Sequence, residues 1–179
     1  MADVREEYSN ALFKLAKEEN LTETILDDVK ALSLILKENP GYVRLLSAPN
    51  IRRDERSSLA DSAFAGKIHK YTLNFLKIMI DKGYFSAVTD CFDDYVALYN
   101  KENNIEVVTV FSPVELTVSQ KEKLKENLAL KLHKTIELIE KTDESLIGGI
   151  RLEMNGKLID SSIKARLESI RAELNSTVL

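Results

Sequence analysis

The chain has 179 residues, 44% of them hydrophobic and 30% charged, with a formal net charge of −4 at pH 7. That length and polarity are those of a soluble protein of one domain or two small ones, and six glycines with three prolines exclude long disorder. Acidic residues outnumber basic ones in both halves, which argues against a nucleic-acid surface; the lone Cys91 excludes an internal disulfide and a multi-cysteine zinc site; and no run of about 20 apolar residues could span a bilayer.

In chain order, Val4, Tyr8, Ala11, Leu12 and Leu15 recur at helical spacing, with Arg5, Glu7, Lys14 and Lys17 mostly opposite. This predicts an amphipathic first helix. Thr22 is expected to cap a second helix, with Leu21 and Leu26 as a hydrophobic staple and Ile25, Val29, Leu32 and Leu36 as its apolar stripe. Asn39-Pro40 ends it, because the residue before a proline is pushed out of helical geometry. A short segment from Tyr42 to Leu46 leads to the turn Ala48-Pro49-Asn50, and Arg52 to Phe64 forms another helix. Arg52, Arg53 and Arg56 alternate with Asp54 and Glu55 at its start, which reads as a solvated, salt-bridged helix end rather than a grip on phosphate.

In YTLNFLKIMIDKG the residues Tyr71, Leu73, Phe75, Leu76, Ile78, Met79 and Ile80 cover nearly every side of a helix. Such a helix is expected to be surrounded by protein, with Gly83 just past its end. The next helix carries Phe85, Val88, Phe92, Tyr95, Val96 and Tyr99, holds Cys91 as a buried structural thiol, and fades in the polar run from Asn100 to Asn104. That run is the expected boundary between domains 1–104 and 105–179.

Beyond it IEVVTVF is β-branched and strand-like. Thr117 and Gln120 form a capping box for a helix with Leu124, Leu128 and Leu132 on one face, and TIELIE alternates as a second strand. Ile150, Leu152 and Met154 alternate with Arg151, Glu153 and Asn155, and Asn155-Gly156 is a two-residue hairpin signal leading to Lys157-Leu-Ile159. Asp160 is placed as the N-cap of a last helix whose stripe is Ile163, Leu167, Ile170 and Leu174. The fold class is therefore mainly α: a helical N-terminal region followed by a smaller α/β region ordered β-α-β-β-β-α.

No catalytic constellation stands out. Glu6-Glu7, Glu18-Glu19, Asp27-Asp28 and Asp93-Asp94 read as solvated helix faces, and His69 and His133 lack partners at metal-ligand spacing, so neither a metal nor a cofactor is expected. Gly148-Gly149 leads into a strand and not a helix N-terminus, which favours close backbone packing over a phosphate loop.

The chain resembles the delta subunit of bacterial F-type ATP synthase, the counterpart of the mitochondrial oligomycin-sensitivity-conferring protein, along essentially its whole length. The resemblance is carried by Tyr8-Ser-Asn-Ala11-Leu12 with Ala16, by NFLKIMIDKG from Asn74 to Gly83, and by VVTVFSPVELT from Val107 to Thr117. It continues with Asp143, Leu146-Ile-Gly-Gly149, and Ile159-Asp160-Ser-Ser-Ile163 with Leu167. Ser9, Tyr84, Ser112-Pro113 and Glu144 depart from that family's pattern.

The resemblance implies an N-terminal six-helix bundle and a non-catalytic subunit joining the catalytic head to the peripheral stalk. It implies that a groove of the bundle receives the N-terminal helix of an alpha subunit, lined by Tyr8, Ala11, Leu12, Leu15, Asn74, Phe75, Ile78, Met79 and Lys82. It implies that the C-terminal region meets the b subunits, with Gly148, Gly149, Asp160, Ile163, Leu167 and Ile170 as stalk-binding or fold-maintaining positions. The chain would then be a single copy in a hetero-oligomer, peripheral on the cytoplasmic face of a bacterial membrane and not inserted in it. The other readings are a stand-alone helical adaptor that grips an amphipathic helix of another complex, and a small phosphate-ligand enzyme using Gly148-Gly149.

Overall fold

The computed structural model describes residues 2–168 and divides into two compact units, 1–99 and 100–179. The chain is mainly helical, with one small mixed sheet.

Six helices make the first unit: α1 (Ala2–Glu18), α2 (Thr22–Glu38), α3 (Pro40–Ser47), α4 (Arg53–Phe64), α5 (Lys70–Lys82) and α6 (Val88–Glu102), the last running on past the division. A 3-10 turn, Phe85–Ala87, joins α5 to α6. The helices bury one shared core that includes Leu12 and Ala16 of α1, Ile25, Val29, Leu32 and Leu36 of α2, Leu76, Met79 and Ile80 of α5, and Phe92 and Tyr95 of α6. At roughly 1.5–3 kcal/mol for each large apolar side chain, burial there is the main force holding the six together.

Helix ends follow local chemistry, sometimes at a different residue from the one the sequence suggests. Asn20 takes a left-handed φ of 56°, its amide reaches Lys17 O and the Leu21 amide reaches Ala16 O at 2.8 Å, so α1 ends in a Schellman motif. Leu21 completes that motif and its carbonyl already receives the Ile25 amide, so Leu21 stands at the N-cap of α2 and Thr22 is the first helical residue. The expected Thr22 cap is displaced because the two helices share one turn. Pro40 opens α3 at the position where a missing amide costs nothing.

The core face of α1 is turned from the predicted stripe. Ser9, Leu12, Phe13 and Ala16 are buried while Ala11 is exposed and Tyr8 and Leu15 are half-buried. Ser9 tolerates burial because its hydroxyl donates to Arg5 O at 2.7 Å.

In the second unit, β1 (Ile105–Ser112), α7 (Val118–Leu132), β2 (Thr135–Thr142), β3 (Arg151–Met154) and β4 (Lys157–Asp160) form a sheet in the order β2-β1-β3-β4. The β1–β2 pair is parallel, as a crossover through α7 requires, and the other two pairs are antiparallel. Val108, Val110, Ile136 and Leu152 pack with Leu128 of α7 into a separate core. The Thr117/Gln120 capping box is present, and Asn155 and Gly156 both have positive φ in the two-residue hairpin between β3 and β4.

Candidate functional site

Helix α5 is fixed at both ends. At its start, Asp28 Oδ2 of α2 accepts hydrogen bonds from the His69 amide at 2.7 Å and the Thr72 hydroxyl at 2.8 Å, while His69 Nδ1 accepts from the Tyr71 amide. At its end, Gly83 adopts φ 77° and the Tyr84 amide reaches back to Met79 O at 2.8 Å, a second Schellman motif. Lys77 on its flank pairs with Asp61 of α4 at 2.6 Å.

This anchoring sets which α5 side chains remain outside. Phe75, Leu76, Met79 and Ile80 are buried, whereas Asn74 and Lys82 are exposed and Ile78 keeps 45% of its surface. The expectation of a helix surrounded on every side is therefore corrected: one apolar position faces outward, because no other element of its unit covers that face. On α1, Leu12 is buried, Tyr8 and Leu15 are half-buried and Ala11 is open. The Tyr8 and Tyr84 rings lie 6.1 Å apart, so the middle of α1 neighbours the C-terminal end of α5. Of the nine residues expected to line a groove, Leu12, Phe75 and Met79 are buried, and the remaining six keep accessible surface.

Helix α1 is also held from its other side. Arg5 Nε lies 2.7 Å from Asp94 Oδ2 of α6, and the Cys91 thiol reaches Arg5 O at 3.8 Å. Burial first, then the nearby Asp94 carboxylate, pushes the Cys91 thiol up to about 11, which leaves it protonated and inert at neutral pH.

In the second unit Gly149 packs against backbone and Gly148 against a side chain. Gly149 has φ 84°, and a Cβ built on it would sit 2.7 Å from Ser161 O and 2.9 Å from Ser162 Cα. A Cβ on Gly148 would meet Ile163 Cδ1 at 2.7 Å, and Gly148 O accepts from the Ile163 amide at 3.0 Å. These contacts fix the 146–149 loop to the start of the last helical stretch, 163–168.

The cap of that stretch is a correction. Ser162, not Asp160, is the N-cap: its carbonyl receives the Arg166 amide and its hydroxyl oxygen receives the Ala165 amide at 3.2 Å. Asp160 ends β4 and closes an Asx turn by accepting from the Ser162 amide at 2.8 Å; hydrogen bonds from Ser162 hold its carboxyl below the usual range. Ile163 and Leu167 are exposed, the latter by 60%, while Ile170 and Leu174 lie outside the described residues. Nearby, Asp143 accepts from the Ser145 hydroxyl at 2.5 Å and from Arg151 Nη2 at 2.6 Å, and the Ser145 bonds hold its carboxyl low as well.

Three polar anchors were hidden from the sequence reading. Asp28 reads in sequence as a solvated charge, yet it follows Ile25 by three residues and precedes Leu32 by four, at the edge of the buried stripe. Glu106 is in phase with Val108 and Val110 and is buried, where it accepts from Lys134 Nζ at 2.6 Å and from Asn155. Arg56 is only 6% exposed, and its Nη1 donates to Leu46 O at 2.9 Å. Arg52 and Arg53 are exposed, as a solvated cluster would be, whereas Arg56 is buried and reaches under the end of α3.

Comparison with known proteins decides which family the chain belongs to. The family model described as ATP synthase delta (OSCP) subunit matches residues 4–174. The chain belongs to this family.

Similar proteins include the ATP synthase subunit delta of Lactobacillus gasseri, 33% identical over 96% of this chain and 94% of the relative. That of Lachnoclostridium phytofermentans is 30% identical over the same shares. Among solved structures, a chain in a cryo-EM structure of the Toxoplasma gondii mitochondrial ATP synthase hexamer is similar in fold, with a TM-score of 0.74 at 20% identity over 95% of this chain and 96% of that one. As a delta/OSCP family member the chain is a non-catalytic subunit of ATP synthase, with the stator role of that family. Among the described residues no helix is long and apolar enough to cross a membrane, and no group of three metal-ligating side chains occurs.

Proposed function

We propose that the six N-terminal helices act as a bundle whose α1–α5 face binds the N-terminal amphipathic helix of an alpha subunit, while the 105–179 region holds the b subunits of the peripheral stalk. The chain then ties the catalytic head to the stalk on the cytoplasmic face of the membrane, as one copy in the complex, so that the head does not turn with the rotor. The observation that carries this reading is Ile78: an isoleucine with 45% of its surface open, on a helix whose neighbours at Phe75 and Met79 are sealed in the core. It is flanked by open Asn74 and Lys82, and α1 offers a small residue, Ala11, where a guest backbone can come close. Exposed Ile163 and Leu167 give the second unit an apolar strip for its partner.

Torque resistance needs slow dissociation, which a few buried aliphatic anchors supply. Ile78→Asp puts a charge into that contact. Binding of a synthetic alpha-subunit N-terminal helix, measured by calorimetry, is expected to weaken about 10- to 100-fold, while the exposed position keeps the change in folding stability within about 1 kcal/mol. Unchanged affinity would remove Ile78 and the α1–α5 face from the contact.

A further inference from the structure

We propose that the cavity beside the α3–α4 turn is a binding site for a small oxyanion of the phosphate class. The cavity encloses about 430 Å³ and lies within the first unit, between the turn and the C-terminal end of α5. Four cations line it, Arg52, Arg53 and Arg56 of the α4 start and Lys82 of α5, against the single carboxylate of Asp81. Asp54 lies 3.6 Å from Arg52, with both side chains largely in water; Glu55 lines the adjoining groove, which shares Arg52 with the cavity and also holds Asp54.

The decisive member is Arg56. An arginine this deeply buried needs its donors matched, since a charged group stripped of water without partners is destabilising. Leu46 O takes Nη1, while Nε is buried and has no protein acceptor. Arg56 lines the cavity and is held by the α3 carbonyl, and Arg52 and Arg53, which line it too, are exposed. One held guanidinium with two further exposed ones can recognise a tetrahedral oxyanion through paired N–H donors. The α5 carboxyl end and Asp81 oppose an anion, so recognition rests on the three arginines rather than on a helix dipole.

The test uses the full chain. Inorganic phosphate is titrated by calorimetry and by phosphorus NMR, with chloride at matched ionic strength as the control; ADP is titrated separately to tell a bare ion from a phosphate ester. Saturable phosphate binding is expected, weakened about tenfold in the double variant Arg52→Gln/Arg53→Gln, equivalent to roughly 1.4 kcal/mol. Those two side chains are exposed, so the variant folds, which circular dichroism checks. Stronger binding of ADP would assign the site to an ester; equal or stronger binding of phosphate itself would assign it to the free ion. No saturable signal with either probe, or equal binding in wild type and double variant, overturns the proposal.

Discussion

Asp28 Oδ2 accepts from both the His69 amide and the Thr72 hydroxyl, and Thr72 has no exposed surface. Removing the acceptor leaves a buried hydroxyl and a helix-start amide unmatched, at about 1–3 kcal/mol each before relaxation. Asp28→Ala is therefore expected to lower unfolding free energy by about 2–4 kcal/mol in a urea titration, and Asp28→Asn, which keeps an acceptor, by about 1 kcal/mol. In the double variant Asp28→Ala/Thr72→Val the loss is smaller than the sum of the singles, because the orphaned hydroxyl is gone. A loss below about 0.5 kcal/mol for Asp28→Ala would mean water replaces the carboxylate. Charge runs in sequence conceal such residues: Asp27 and Asp28 are chemically identical neighbours, and only the 100° step between them sends one into solvent and the other to the α5 start.

At the scale of elements, end chemistry and packing periodicity separate what sequence could reveal. The hairpin at Asn155-Gly156, the Thr117/Gln120 box and the Gly83 terminus depend on residues a few positions apart, and all three stand where the sequence places them. The Thr22 and Asp160 caps did not, because each competes with a neighbouring motif, the α1 Schellman turn in one case and the Ser162 cap in the other. Long-range packing was out of reach: nothing local says that Gly149 abuts Ser161. A methyl at Gly149 meets backbone on top of a left-handed φ, whereas Gly156, at φ 69°, has open space around it. Gly149→Ala is thus expected to destabilise the second unit by about 2–4 kcal/mol, and Gly156→Ala by only about 1 kcal/mol. Amide hydrogen exchange at Ile163, whose N–H is held by Gly148 O, reads the first effect directly; equal effects of the two variants would show that the 146–149 loop yields without loss.

At the scale of the whole molecule, the two cores share no buried residue among the described ones: one is built from α1–α6 and their linking 3-10 turn, the other from α7 and the sheet. In sequence, helical periodicity gives way to β-branched alternation just after α6, close to where the two units divide, while the exposure of Ile78 is not legible. Periodicity marks which side chains are apolar; it does not say which of them the rest of the chain leaves uncovered, and that is why Phe75 and Ile78 look alike in sequence and differ in the fold. If each core suffices for its unit, a fragment ending at Asn104 should fold alone. Ile25, Leu32, Met79 and Phe92 belong to a core whose members all fall within it, and the Asp28 and Arg5–Asp94 links lie inside it. We expect the 1–104 fragment to unfold cooperatively in urea and to bind the alpha-subunit helix within about threefold of the full chain, a difference of roughly 0.6 kcal/mol. Binding weakened a hundredfold in a folded fragment would place part of the alpha contact in the second unit, and a fragment without a cooperative transition would show that the first core depends on the sheet beyond it.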